Sequence, residues 1–237
     1  MKHPFVLALM AGLAVLVVAF ALPLLHMGRG DAAPPARHLP WQAEPRADGG
    51  LQVFGLTLGR DTLADAQATL GDHLEMALVA RRDEVGRLEA LVDPFPAGFV
   101  NGRLVLAFDV PAQTLARWRD RATGSDAMEG SVRRFSLHAD DRAEARSARI
   151  AGLSFVPSVK LTEADIEQRF GRPSERREMA DGARVLLYPE RGIAAAVAAS
   201  GTSRGVLQYV PPRDFEARLR APLGGASQPG HVTRPAI

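Results

Sequence analysis

One short pattern recurs in this chain at an offset of 100 residues, and it constrains the fold more than any other feature. Thr62, Ala64, Asp65, Leu70 and Gly71 return in the same spacing as Thr162, Ala164, Asp165, Phe170 and Gly171. Val110-Pro111 with Leu115 returns at the same offset as Val210-Pro211 with Phe215. Upstream of each, Gly55-Leu56-Thr57 is matched by Gly152-Leu153-Ser154. Three matches in one order read as a duplicated building block.

The repeated residues have a physical logic. Thr62 and Thr162 suit helix N-caps, where a hydroxyl accepts from an orphan amide, and Asp65 and Asp165 fall three residues on, where a carboxylate reaches back to the cap. Gly71 and Gly171 supply the residue that ends a short helix, and Pro173 forbids continuation. Leu63, Ala66 and Leu70 share one face of the first helix, as do Ile166 and Phe170 in the second. Strand-like runs follow. After the second helix, 175–179, 183–188, 192–199 and 204–210 are separated by Asp181-Gly182, Pro189-Glu190-Arg191 and Ser200-Gly201-Thr202, which predicts a four-stranded antiparallel meander. After the first, 76–81, 86–92 and 103–110 play similar parts, with a short strand near Phe99 and a hairpin turn at Asn101-Gly102. Each sheet is followed by a helix opened by proline, 111–121 and 212–220. Between the units, 131–139 and 145–155 read as strands joined by a charged turn at 140–144.

The N-terminus adds a second constraint. Phe5 to Leu25 contains no charge over 21 residues, roughly 31 Å of helix against a hydrocarbon core of about 30 Å. A retained single-span anchor or a signal peptide both fit; the one tolerable cleavage site in the run, Ala19-Phe20-Ala21, would leave Leu22-Pro23 at the new terminus, which favours retention. The expected fold class is therefore α+β: an N-terminal transmembrane helix (1–25), a Gly- and Pro-rich flexible linker (26–50), and two tandem helix-plus-antiparallel-sheet units (51–121 and 152–220). Connecting strands fill 122–151, and a disordered tail closes the chain at 221–237. Trp41, within the linker stretch, suits either the lipid interface or a dock on the folded domain.

Composition excludes more than it identifies. The chain has no cysteine, so thiolate nucleophiles, cysteine zinc sites and lipid-modified cysteines are absent. Its 29 basic residues include only two lysines, Lys2 and Lys160, and the net charge is +2; acidic residues interrupt every basic stretch, so nucleic acid is not an expected partner. His3, His26, His38, His73, His138 and His231 have no metal-ligand spacing, and no cofactor is expected. His138-Ala139-Asp140-Asp141 is the nearest approach to an acid–base or metal site. Trp118 among Arg117, Arg119 and Arg121 suits a cation–π cluster or a half-buried helix face. No nucleophile elbow or phosphate-binding loop is present.

A Gly-Leu-Ser or Gly-Leu-Thr lead-in, a Thr-capped helix closing on Phe170-Gly171-Arg172-Pro173, and a following meander resemble the unit shared by β-lactamase inhibitor protein and the small lipoproteins of the outer-membrane β-barrel assembly machinery. Gly71-Asp72-His73 lacks the proline. The resemblance implies paired helices on one sheet face and an open opposite face for a protein partner, without catalytic machinery; no family site residue carries over. The expectation is a membrane-tethered periplasmic protein-binding or envelope-assembly module, single-pass in the inner membrane, or secreted to the periplasm after cleavage. Tyr188 and Tyr209 are the candidate partner-binding residues, because amphipathic aromatics anchor interfaces; both rings also suit the edge of the core. An exported hydrolase with dispersed site residues is the competing expectation. Partner identity and oligomeric state are not encoded in any motif.

Overall fold

The computed structural model of the protein describes residues 38–225, apart from 72, 83 and 200–203. Strands β1 (Glu44–Pro45), β2 (Leu51–Val53) and β3 (Leu56–Leu58) form a small antiparallel sheet, followed by helix α1 (Leu63–Leu70). Next come β4 (Glu75–Arg81), β5 (Arg87–Ala97), β6 (Val100–Asp109), helix α2 (Ala112–Asp120), β7 (Gly124–Ala127), β8 (Val132–Ser136), helix α3 (Ala139–Ala145) and β9 (Arg149–Pro157). Helix α4 (Glu163–Phe170) precedes β10 (Glu175–Glu178), β11 (Arg184–Tyr188), β12 (Ile193–Val197) and β13 (Val206–Tyr209). A C-terminal segment runs through a 3₁₀ turn (Pro212–Asp214) and a π turn (Glu216–Arg220) into α5 (Ala221–Gly225). The larger sheet has ten strands in the order β10-β11-β12-β13-β9-β6-β5-β4-β8-β7, every neighbouring pair antiparallel.

Local chemistry sets both repeated helices. Thr62 and Thr162 each close a capping box: the Asp65 and Asp165 amides donate to the threonine hydroxyls, while the Thr62 and Thr162 amides donate to the carboxylates at 2.8 Å. Gly71 and Gly171 end them with φ of 84° and 82°. Each glycine amide donates to the carbonyl four residues back, Gln67 and Glu167. The two helices therefore share one cap geometry and one way of ending.

Register builds the core. Leu186, Ala195, Leu207, Phe155, Leu104 and Val92 are successive cross-strand partners, and so share one face. Leu63 and Ala66 of α1, Leu115 and Trp118 of α2, and Ile166 and Phe170 of α4 join them in one buried cluster. On the opposite face Val185, Leu187 and Ala194 are covered by Phe215 and Leu219 of the C-terminal segment. Residues 185–187 are thus apolar without interruption because β11 is buried on both sides. The β2–β3 turn places Phe54 at φ 53° and Gly55 at φ 80°. A bulky residue rarely adopts that conformation, and burial holds it here: the Phe54 ring lies 5.2–5.7 Å from the Phe95, Phe155 and Tyr209 rings, centroid to centroid, plugging the small sheet into the large one.

The sheet corrects the expected α+β class and its pair of tandem units: the described fold is mostly β, dominated by one ten-stranded antiparallel sheet. Strand β9, carrying Gly152-Leu153-Ser154, lies between β6 and β13 and joins both meanders into one sheet; Gly55-Leu56-Thr57 instead lies in the small sheet. The two segments that carry the repeated pattern therefore do not each close a sheet of their own. Asn101-Gly102 lies inside β6, and the chain reverses at Gly98-Phe99 instead. Glycine serves Gly102 because a Cβ there would sit 2.5 Å from the Phe155 ring. The charged 140–144 segment belongs to α3, with His138 as N-cap and Asp140 and Asp141 in the first turn, where the helix dipole favours them.

The linker reading over 26–50 also stops short, since Leu39 and Ala43 are buried and β1 pairs with β2. Residues 221–225, read as tail, are helical. The opposite sheet face, expected to be open, is covered across β11 and β12 by the C-terminal segment. Among the described residues no helix is long and apolar enough to cross a membrane. The Phe5–Leu25 run, on which the transmembrane expectation rests, lies outside them.

Candidate interaction site

Neither tyrosine chosen from the sequence is presented to a partner. Tyr209 is 0% exposed and its hydroxyl donates to the Pro40 carbonyl at 2.9 Å; Tyr188 is 4% exposed and its hydroxyl donates to the Gly171 carbonyl at 3.0 Å. Burial pushes the Tyr188 phenol up to about 12 and the Tyr209 phenol well above the ordinary tyrosine range. The register Tyr188–Ile193–Tyr209 puts both on one face of the sheet. That face is the covered one, closed by α1, α2 and α4, so both rings are core with a polar tip satisfied by backbone.

The His138 segment builds a structural cap. The Asp140 amide donates to His138 Nδ1 at 3.4 Å, and Asp140 is largely exposed. Asp141 is buried beside Arg121, whose Nη1 lies 3.4 Å from Oδ1, and its Oδ2 is buried without a hydrogen-bond partner. Arg117 and the Trp118 indole both donate to Glu144 Oε2, at 2.5 and 3.1 Å. The indole hydrogen bond, followed by that from Arg117, holds the Glu144 carboxyl below the usual range. These contacts clamp α2 to α3. Trp118 is buried and serves that clamp, while the nearby cation–π contact is between Arg119 and Phe135, 5.6 Å from guanidinium carbon to ring centroid. Among the described residues, no group of three or more His, Asp or Glu side chains is placed to hold a metal ion.

The candidate site lies at the β7 end of the sheet, which no local pattern marks because Gly124–Ala127 has no strand alternation. All four residues of β7 are exposed, and among the described residues β7 pairs with β8 alone, so none of them covers its outer edge. An open strand edge offers a row of unpaired amides and carbonyls to an extended peptide. Beside it lies a cleft of about 520 Å³, to which Thr123, Asp126, Arg134, Ser136, His138 and Arg142 contribute polar groups. Met76 and Leu137 add apolar surface. Arg134 spans this region, pairing with Glu75 at 3.0 Å and lying cross-strand from Asp126. The other edge of the sheet is guarded: on β10, Arg176 is locked to Glu163 and Glu167, and Arg177 to Glu175. Charged side chains on an edge strand oppose pairing.

No protein-family model, no curated protein and no solved structure matches this chain.

Proposed function

We propose that this chain is a membrane-tethered periplasmic module of the cell envelope that binds a protein partner without catalysing a reaction. The observation that carries the reading is the open β7 edge beside a polar cleft. An extended segment of the partner adds to the sheet through main-chain hydrogen bonds, and side chains entering the cleft supply selectivity. The pair of Thr-capped helices supports kinship with β-lactamase inhibitor protein and the assembly-machinery lipoproteins at the level of the local motif. Tethering rests on the apolar Phe5–Leu25 run, which keeps the folded body beside the membrane.

The test is photo-crosslinking from position 125 in intact cells, with position 178 on β10 as the control edge. A discrete adduct from 125 that disappears in an Ala127→Pro variant of unchanged melting temperature supports the reading; equal labelling from both edges refutes it. Alkaline extraction of membranes, with mass spectrometry of the mature N-terminus, separates retained tether from cleaved export.

A further inference from the structure

A second cleft lies one helical turn along α3 from the cleft beside β7. It measures about 340 Å³ and is lined by Ala64, Gln67, Ala68, Gly71, Leu74 and Arg146. The first cleft takes Arg142 from the same helix and Met76 from β4. Arg142 and Arg146 stand four residues apart and so share one face of α3, while Leu74 and Met76, two apart, share one side of the chain entering β4. The two clefts are therefore successive sections of one groove. Both arginines are exposed, and neither forms an ion pair among the described residues. The other charged groups of the first cleft are engaged, Arg134 with Glu75 and cross-strand from Asp126. In the second cleft Gln67 Oε1 is buried without a hydrogen-bond partner. Helix α3 is also fixed in place, because the Leu63 and Ala64 amides donate to the Ala148 and Arg146 carbonyls at 2.9 and 3.0 Å.

We propose that this groove holds an acidic stretch of the protein partner in extended conformation, two carboxylate side chains spaced two residues apart meeting Arg142 and Arg146. The inference rests on the partner-binding reading above and adds the chemistry that the partner carries. Spacing supports it first. One turn of α3 separates the two arginines by about 6 Å along the helix axis, and alternate side chains of an extended strand recur at about 6.7 Å on one face. Charge supports it next: a guanidinium takes a carboxylate through two parallel N–H donors, so the two unpaired arginines complement two acids. The orphan Gln67 acceptor supplies the third argument. An extended segment offers free main-chain amides to it, whereas a helix has already used its own. A helix of about 10–12 Å diameter would also be too broad for clefts that take single side chains.

The experiment selects binders to the full chain, held in detergent micelles, from a displayed library of random short peptides and measures them by fluorescence anisotropy. The expected result is enrichment of Asp or Glu at alternate positions. Combining Arg142→Gln with Arg146→Gln is expected to weaken the selected peptides about tenfold, as two partly exposed ion pairs are lost, at an unchanged melting temperature. Arg172→Gln, which removes an exposed arginine outside the groove, is expected to leave them unaffected. Selected peptides that lose binding in Ala127→Pro but show no acidic preference overturn the groove inference and leave the edge reading standing. Acids selected four residues apart overturn the extended occupant. Displacement of the peptides by duplex DNA or anionic vesicles at the same charge concentration overturns a peptide-specific groove. Failure to select any peptide overturns the partner-binding reading, and the inference with it.

Discussion

Replacing Thr162 by alanine isolates the strongest local signal in the chain. The Thr162 hydroxyl accepts from the Asp165 amide at 3.2 Å and donates to its carboxylate at 2.7 Å, so the substitution removes two hydrogen bonds from the first turn of an eight-residue helix. Loss of a threonine N-cap costs about 1 kcal/mol, which for a folded body of this size lowers the melting temperature by about 2–4 °C. The effect has a defined pH dependence. Hydrogen bonds from the Thr162 hydroxyl, then from its amide, hold the Asp165 carboxyl below its ordinary value of 3.8. Because the folded value lies under the unfolded one, the contribution is present above the unfolded value and disappears as pH falls through the folded one. The gap between wild-type and variant melting temperatures is therefore expected to be full at pH 7 and to narrow below about pH 4. Thr62→Ala is expected to match it, since the Thr62 box has the same three bonds, at 3.3, 2.7 and 2.8 Å. Differential scanning calorimetry of both variants decides the matter. An unchanged melting temperature at pH 7, or two costs differing by more than about 1 kcal/mol, would refute the reasoning that the boxes are equivalent caps.

Three further outcomes follow from the packing. Tyr209→Phe leaves the Pro40 carbonyl without its phenolic donor and is expected to cost about 1–2 kcal/mol, with faster amide exchange at 38–43; unchanged exchange there would show that the bond does not hold this segment. Phe54→Ala empties the space between Phe95, Phe155 and Tyr209 and is expected to cost about 3–5 kcal/mol by urea denaturation. Burial raises the Glu89 carboxyl above its ordinary 4.5, with the Arg87 ion pair opposing in part. The folded value lies above the unfolded one, so wild-type stability declines as pH rises from 4.5 through the folded value. Glu89→Gln is expected to remove that decline, and an identical pH profile of the urea midpoint in the variant would contradict it.

How much was legible in the sequence depended on the reach of the forces involved. Thr162, Asp165 and Gly171 announced their helix because capping is decided within a few residues of chain. Asp181-Gly182 announced its hairpin for the same reason: the Ala183 amide donates to Asp181 Oδ1 at 3.0 Å, and Gly182 takes φ 76°. Strand alternation groups Tyr188 with Leu186 and Tyr209 with Leu207, but no local rule states how the two strands are aligned or which face other elements cover. That depended on α1, α2 and α4 settling on one side of a sheet assembled across the chain. Asn101-Gly102 carries a turn signature yet lies within β6, where the close approach of Phe155 from β9 accounts for the glycine. The β7 edge left no pattern, being four exposed residues that pair, among the described residues, with β8 alone.

By itself the sequence determined the capped helices, most strands of the second meander and the apolar N-terminal run, each written in neighbouring residues. Only the tertiary structure decided that β9 would join two meanders into one sheet, that both tyrosines would be buried, and that β7 would end the sheet among the described residues. Strand order and surface coverage are fixed by hydrogen-bond registers and packing between distant segments, which local spacing does not encode.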